Sequence, residues 1–212
     1  MVTLVTREGP RPLRADARRN RERVLDAARG CFAQHGLDAQ MDDIARAAKV
    51  GVGTVYRHFP TKQALAEAIA ADHFDRLAAS AREALENPDP WDGFSTFMRR
   101  SGQEQAGDRA LAEVMAAEPE VMCDAANRRP DLHEALAELV HRAQAAGKLR
   151  PDLVPADVPM LICGVGRATL AGSKGPTMSP RRYLEIVLDG LRAPGSYELP
   201  DTPAVAFTSL HG

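Results

Sequence analysis

The chain has 212 residues, 44% of them hydrophobic and 26% charged, with a formal net charge of −2. That is enough to bury a real core in one large domain or two small ones, with the composition of an ordinary soluble globular protein. No apolar run is long enough to span a bilayer, and the opening stretch MVTLVTREGPRPLRADARRN lacks the apolar core of a signal peptide, so a cytoplasmic protein is expected.

Cys31, Cys123 and Cys163 are odd in number and widely spaced, which is no disulfide framework. Each reads as a small buried apolar residue. The net charge hides an asymmetry. Residues 1–62 hold 12 Lys and Arg against 7 Asp and Glu, whereas residues 63–212 hold 15 against 22. A basic first third on an acidic remainder fits a chain that meets a polyanion at one end, although scattered surface charge would look the same.

Residues 1–14 carry Arg7, Arg11, Arg14, Pro10 and Pro12 with little periodicity and are read as a flexible basic arm. A first helix is expected from about Asp16, a possible N-cap, to Gln34. Its inner face is Val24, Leu25, Ala28, Cys31 and Phe32, and Gly36 ends it. Arg18, Arg19, Arg21 and Arg23 crowd its first half. A short second helix, about Met41 to Ala48, turns its Met41, Ile44, Ala45 and Ala48 inward, with Asp42 and Asp43 favourably placed in its first turn. Val50 plugs the following turn and Gly51 can cap a third helix from about Val52 to His58. Val55 and Phe59 point inward there, and Val52, Gly53, Thr54 and Arg57 outward.

Pro60 breaks the pattern, and Thr61 can cap a long fourth helix to about Leu85 with Leu65, Ala68, Ile69, Phe74 and Leu77 inside. Further helices are expected near 90–105, 108–117, 119–127, 130–146 and 155–172. A last helix opens at Ser179-Pro180 and buries Tyr183, Leu184, Ile186, Val187, Leu188 and Leu191. Residues 193–212 look like a loose tail. The expected fold is all-α, divided into a basic arm (1–14), a three-helix unit (15–61), a larger helical unit (62–193) and a tail (194–212).

Two short helices around the Val50-Gly51 turn have the layout of a helix-turn-helix, whose second helix enters a DNA major groove. Small residues at Gly51 and Gly53 would let it fit between the groove walls. Thr54 and Arg57 offer hydrogen bonds to base edges, and Tyr56, His58 and Lys62 are placed to clamp phosphates. The free amides at the start of the fourth helix also favour a phosphate. The Gly-x-Gly is no dinucleotide loop, because no strand precedes it. No nucleophile elbow, zinc-protease helix or phosphate-binding lysine loop is present, so no enzyme is expected. His133, His141 and Cys123 have no close ligand spacing, and neither metal nor cofactor is expected.

Residues 16–64 resemble the TetR family of bacterial transcriptional regulators. The match is carried by Phe32-Ala33-Gln34-His35-Gly36, Asp42-Asp43-Ile44-Ala45, Ala48, the run Val50 to Phe59, and Lys62. The stretch Arg142 to Asp152 is similar to a helix ending common in that family. The resemblance implies three helices for DNA and about six for regulation, in a homodimer held by about 155–172 and 179–192. Base or phosphate roles are implied for Val52, Gly53, Thr54, Tyr56, Arg57, His58 and Lys62. The chain departs from the family twice. Gln40-Met41 stands where many members have a phosphate-binding hydroxyl, which Gln40 replaces with an amide donor. Lys49 stands where many have a helix-ending glycine.

The resemblance also implies a small-molecule effector that alters the roughly 34–36 Å spacing of the two reading helices on a palindromic operator. Trp91, Phe94, Phe97, Met98, Met115, Met122, His133 and Met160 are candidate pocket residues, because aromatics and methionines suit an adaptable apolar cavity, though plain core would use them too. The expected function is a ligand-released repressor. An activator or ligand-independent regulator on the same fold, or a small-molecule-binding protein with a vestigial DNA head, would share most of these features.

Overall fold

A computed structural model of the chain describes residues 11–171, 179–193 and 199. Among the described residues ten α-helices follow one another: α1 (Arg11–His35), α2 (Met41–Ala48), α3 (Val52–His58), α4 (Lys62–Leu85), α5 (Pro90–Gly107), α6 (Arg109–Ala117), α7 (Pro119–Asn127), α8 (Pro130–Ala145), α9 (Asp157–Ala171) and α10 (Pro180–Leu191). A single 3₁₀ turn, Gly36–Asp38, follows α1. No strand occurs among the described residues; one antiparallel bridge links Leu149 to Arg192.

The first helix starts earlier than the sequence implies. Residues 1–10 of the expected arm lie outside the described residues, but residues 11–14 are helical. Pro12 is tolerated because first-turn amides need no intrahelical acceptor. Asp16 is therefore not an N-cap; it lies within α1 and pairs with Arg19. Downstream, the expected breaks hold. Thr61 Oγ1 accepts from Ala64 N at 3.0 Å and starts α4, and Asp89 accepts from Asp92 N at 2.8 Å to start α5. Pro90, Pro119, Pro130 and Pro180 each sit in a first turn.

Val24, Ala28 and Phe32 of α1 meet Ile44, Ala45, Ala48, Val55 and Phe59, forming the core of the three-helix head. The α4 helix carries a second stripe, Leu65, Ile69, Phe74 and Leu77, into the body, where it packs on α5, α7 and α8. Ala68 is only partly buried.

The Arg142–Asp152 stretch is a buckle. Arg142 donates to the Leu85 carbonyl, and to that of Asn87 at 3.1 Å, covering the open end of α4. Gly147 takes a left-handed φ of 66° that lets the chain leave α8. Gln144 Nε2 then holds the turn through the carbonyls of Arg150 and Leu153 at 3.0 and 2.9 Å, and Arg150 clasps Asp152. This pair holds the Asp152 carboxyl below the ordinary carboxylate range, chiefly through hydrogen bonding to Arg150.

Candidate nucleic-acid interface

The α2–α3 turn is built as the sequence predicts, with one unusual joint. Lys49 is the one non-glycine residue with positive φ among the described residues, at φ 56° and ψ 43°. Such a conformation costs a non-glycine residue roughly 1 kcal/mol or more. Val50 N–H reaches back to the Ala45 carbonyl at 3.1 Å, and Arg23 of α1 donates to the carbonyls of Ala48 at 2.7 Å and Lys49 at 3.3 Å. A guanidinium from another helix thus satisfies the end of α2. Arg21 likewise stands over the Phe59 ring at 5.1 Å. These two arginines brace the head.

Successive α3 residues are turned by about 100° from one another. Val52, Gly53, Tyr56 and Arg57 fall on one outward arc and are exposed, Val52 by 40% and Tyr56 by 50%. Val55 is buried, and Phe59, which ends α3, packs inward beside it. Thr54 and His58 lie on the flanks, half-buried, the His58 ring tilted 6.5 Å from that of Phe59. Arg57 has no partner among the described residues. Its guanidinium stands free on the outward arc.

The flanking candidates differ. Gln40 Nε2 donates to the Asp38 carbonyl at 2.7 Å, using one of its two amide hydrogens. Lys62 Nζ donates to the Leu37 carbonyl at 2.6 Å, which makes this lysine a strut between α4 and the 3₁₀ turn. Arg21 and Arg23 were legible only as basic residues; their partners lie across the fold.

The eight pocket candidates are spread over α5, α6, α7, α8 and α9. Phe94, Phe97 and Met98 are buried on α5, and Met122 is buried on α7. Met115 and His133 are half-buried. The His133 imidazole titrates below its ordinary range, mainly through burial. Trp91 is half-buried at the start of α5, its ring 6.0 Å from Phe94 and covered by Arg192 at 4.4 Å. Met160 stands apart, 72% exposed. Two polar groups that the sequence did not flag lie within this region. Ser101 Oγ and Gln105 Oε1 are buried without a hydrogen-bond partner among the described residues, while Gln105 Nε2 faces Met115 Sδ at 2.9 Å.

A cleft of about 580 Å³ opens elsewhere, where α1, α4 and α6 meet, lined by Arg29, Asp72, His73, Arg76, Asp108 and Arg109 among others. His73 is only 8% exposed. Burial first, then the nearby Arg76 charge, lowers its pKa from 6.5 to about 4. The unfolded chain protonates this imidazole below about pH 6.5 and the folded chain only near pH 4, so acidification across that window removes stability. The loss should reach about 3 kcal/mol. Urea unfolding of His73→Gln should lack this part of the slope between pH 6.5 and 4; an unchanged slope would refute the assignment.

No group of three or more His, Cys, Asp or Glu among the described residues is placed to hold a metal ion. Cys31 is half-buried and burial raises its thiol pKa, which opposes thiolate chemistry. Cys163 is also half-buried, and the Cys123 side chain lies outside the description.

Residues 24–69 match the family model described as bacterial regulatory proteins, tetR family. Residues 89–193 match the model for the C-terminal domain of SbtR-like transcriptional regulators. The chain is 30% identical to the HTH-type transcriptional regulator UidR of Escherichia coli over 164 residues, 75% of this chain and 84% of that protein. It is 30% identical to the HTH-type transcriptional repressor Rv1474c of Mycobacterium tuberculosis over 183 residues, 82% of this chain and 80% of the relative. The solved TetR transcription regulatory protein from Mycobacterium vanbaalenii is 38% identical and superposes with a TM-score of 0.60, covering 85% of this chain and 99% of that one. With the helix-turn-helix and its free outward arc in place, these matches identify the chain as a member of the TetR family, a DNA-binding transcriptional regulator and not an enzyme.

Proposed function

We propose that this regulator is a homodimeric repressor that reads a palindromic operator with α3 and leaves it when a small molecule binds the helical body. The observation that carries the DNA-reading part is the pair Gly51 and Gly53. Neither has a positive φ, and a Cβ built on either would meet no atom within 4 Å. Gly51 is the N-cap of α3, a position that accepts glycine, but the protein's own packing gives no reason for glycine at 53, where a helical glycine costs roughly 1 kcal/mol relative to alanine. Close approach of a groove wall supplies the reason. Gly53→Ala should raise stability by about 0.5–1 kcal/mol in thermal unfolding yet weaken operator binding in the same preparation. Unchanged binding would remove the argument.

In this reading Arg57 and Thr54 contact bases, with Val52 and Gly53 against the groove. Tyr56, His58, Lys62 and Gln40 hold phosphates, Lys62 with the ammonium hydrogens not used on Leu37. Residues 15–61 form the reading unit and 62–193 the regulatory and dimerising one. Dimerisation through α9 and α10 is supported by two exposed apolar side chains, Met160 on α9 and Ile186, 55% exposed, on α10. Ile186 is thus not part of the chain's own core, contrary to the expectation from periodicity; Leu184, Leu188 and Leu191 fill that core, with Tyr183 and Val187 half-buried beside them. The effector would enter the aromatic and methionine-rich layer of α5, where the unpartnered Ser101 Oγ and Gln105 Oε1 offer polar anchors. The names of relatives such as the M. tuberculosis repressor support repression as the sign of regulation. No helix among the described residues is long and apolar enough to cross a membrane, which accords with work in the cytoplasm.

A further inference from the structure

One residue, Asp108, separates α5 from α6, and each part of it has a different task. Its backbone N–H closes α5 on the carbonyls of Glu104 and Gln105 at 3.1 and 3.3 Å. Its backbone carbonyl accepts the first bond of α6, from Ala112 N at 3.0 Å. One carboxylate oxygen caps α6 at Leu111 N, 2.9 Å away. The other accepts from Arg29 Nη1 of α1, also at 2.9 Å.

Arg29 in turn spans the boundary between head and body. Its second guanidinium nitrogen donates to Asp72 on α4 at 2.6 Å, and its side chain is largely shielded from solvent. Arg76 approaches the same two carboxylates only loosely, at 3.5 and 3.7 Å. Beside them the buried His73 adds no hydrogen bond of its own among the described residues. The head also rests on α6 at a second point, where a Cβ on Gly36 would lie 3.2 Å from Glu113 Oε2.

From Arg29 the path to DNA is short and stiff. Arg23, which holds the end of α2, lies on the same continuous helix about 9 Å away along its axis. Arg21, over Phe59 at the end of α3, lies on it too. A carboxylate that caps α6 with one oxygen and grips α1 with the other can keep both bonds during a turn of α6 relative to α5 only when α1 follows. Any such turn must either drag α1 or break the Arg29 contact.

We propose that Asp108 is the positioning residue that couples the α5–α6 angle to the recognition helix, through its joint capping of α6 and grip on Arg29. The inference rests on the proposed DNA-facing role of α3 only for its readout. By reciprocity, DNA bound to the head must then also tighten the start of α6.

The test is amide hydrogen exchange on the full chain, with and without a duplex that the protein has selected from random-sequence DNA. In the unmodified protein, DNA should slow exchange in residues 109–117 by about fivefold or more. Arg29→Met removes the donor and keeps the stem. Asp108→Asn keeps an oxygen for the Leu111 cap and loses the charge facing Arg29. Both should bind the duplex within about threefold of the unmodified protein and lose the slowing. Arg29→Lys should restore part of it. Asp108→Ala, which also deletes the cap, should speed α6 exchange even without DNA, and so marks the purely structural effect.

Retained slowing in Arg29→Met or Asp108→Asn, or none in the unmodified protein when bound, would overturn the inference. Failure to bind any selected duplex would instead sink the DNA reading. A DNA-free arm then decides: residues 41–58 should exchange faster in each single variant and no faster still in the double variant. Additive effects or no effect would overturn the coupling.

Discussion

Arg57→Ala is expected to weaken operator binding by about 10²–10³-fold while leaving the fold intact. A good bidentate base contact is worth about 1–3 kcal/mol, and a dimer makes the contact twice. Arg57 is exposed and has no partner among the described residues, so unfolding should shift by no more than about 0.5 kcal/mol. Anisotropy titration at fixed salt, together with a thermal melt, separates the two effects. Tyr56→Ala should behave similarly, because half of its surface is exposed on the same arc. Thr54→Ala should cost less, since Thr54 is half-buried on the flank. Arg57→Ala binding with unchanged affinity would remove α3 from the reading surface.

That contrast marks how far the sequence was legible. The Met41–His58 stretch could be read because its signals are local. Small apolar residues recur at helical spacing, and the αL joint at Lys49 follows from a short turn between two helices. Charge is different. Arg21, Arg23, Arg57 and Lys62 look alike in sequence, yet three of them are committed to Phe59, the end of α2 and the Leu37 carbonyl, contacts made across the tertiary fold. Ile186 shows the same limit for apolar residues, because periodicity reports a stripe without saying which of its residues the chain's own core covers. The pocket candidates expose a third limit. Composition points to the Phe94, Phe97 and Met98 layer, which the structure buries on α5, but no residue type encodes the shape of a cavity. Nor could spacing show that Asp108 is a single-residue joint gripped by Arg29 from 79 positions away.

Ile186→Glu should convert the proposed dimer to single chains and lower operator affinity by about 10²-fold or more. The α10 helix is held to its own body by Leu184, Leu188 and Leu191, and by Glu185, which pairs with Arg99 at 2.8 Å. Tyr183 fits against Gly164 of α9 so closely that a Cβ there would lie 2.9 Å from its hydroxyl. Ile186 takes no part in that inner packing and stands 55% exposed. In a two-fold interface the same patch meets itself, so one substitution places two carboxylates in a desolvated contact. Light scattering on the eluting protein should give a single-chain mass with an unchanged helical spectrum. A variant that remains dimeric and binds operator normally would place the interface on another face.

The most direct test of the account is a footprint of the purified protein on its selected duplex over a range of salt concentrations. Two protected half-sites are expected, symmetric and about 10–10.5 base pairs or a multiple of that apart, with affinity falling steeply as salt rises. Protection of a single unpaired site, or binding that does not respond to salt, would contradict it.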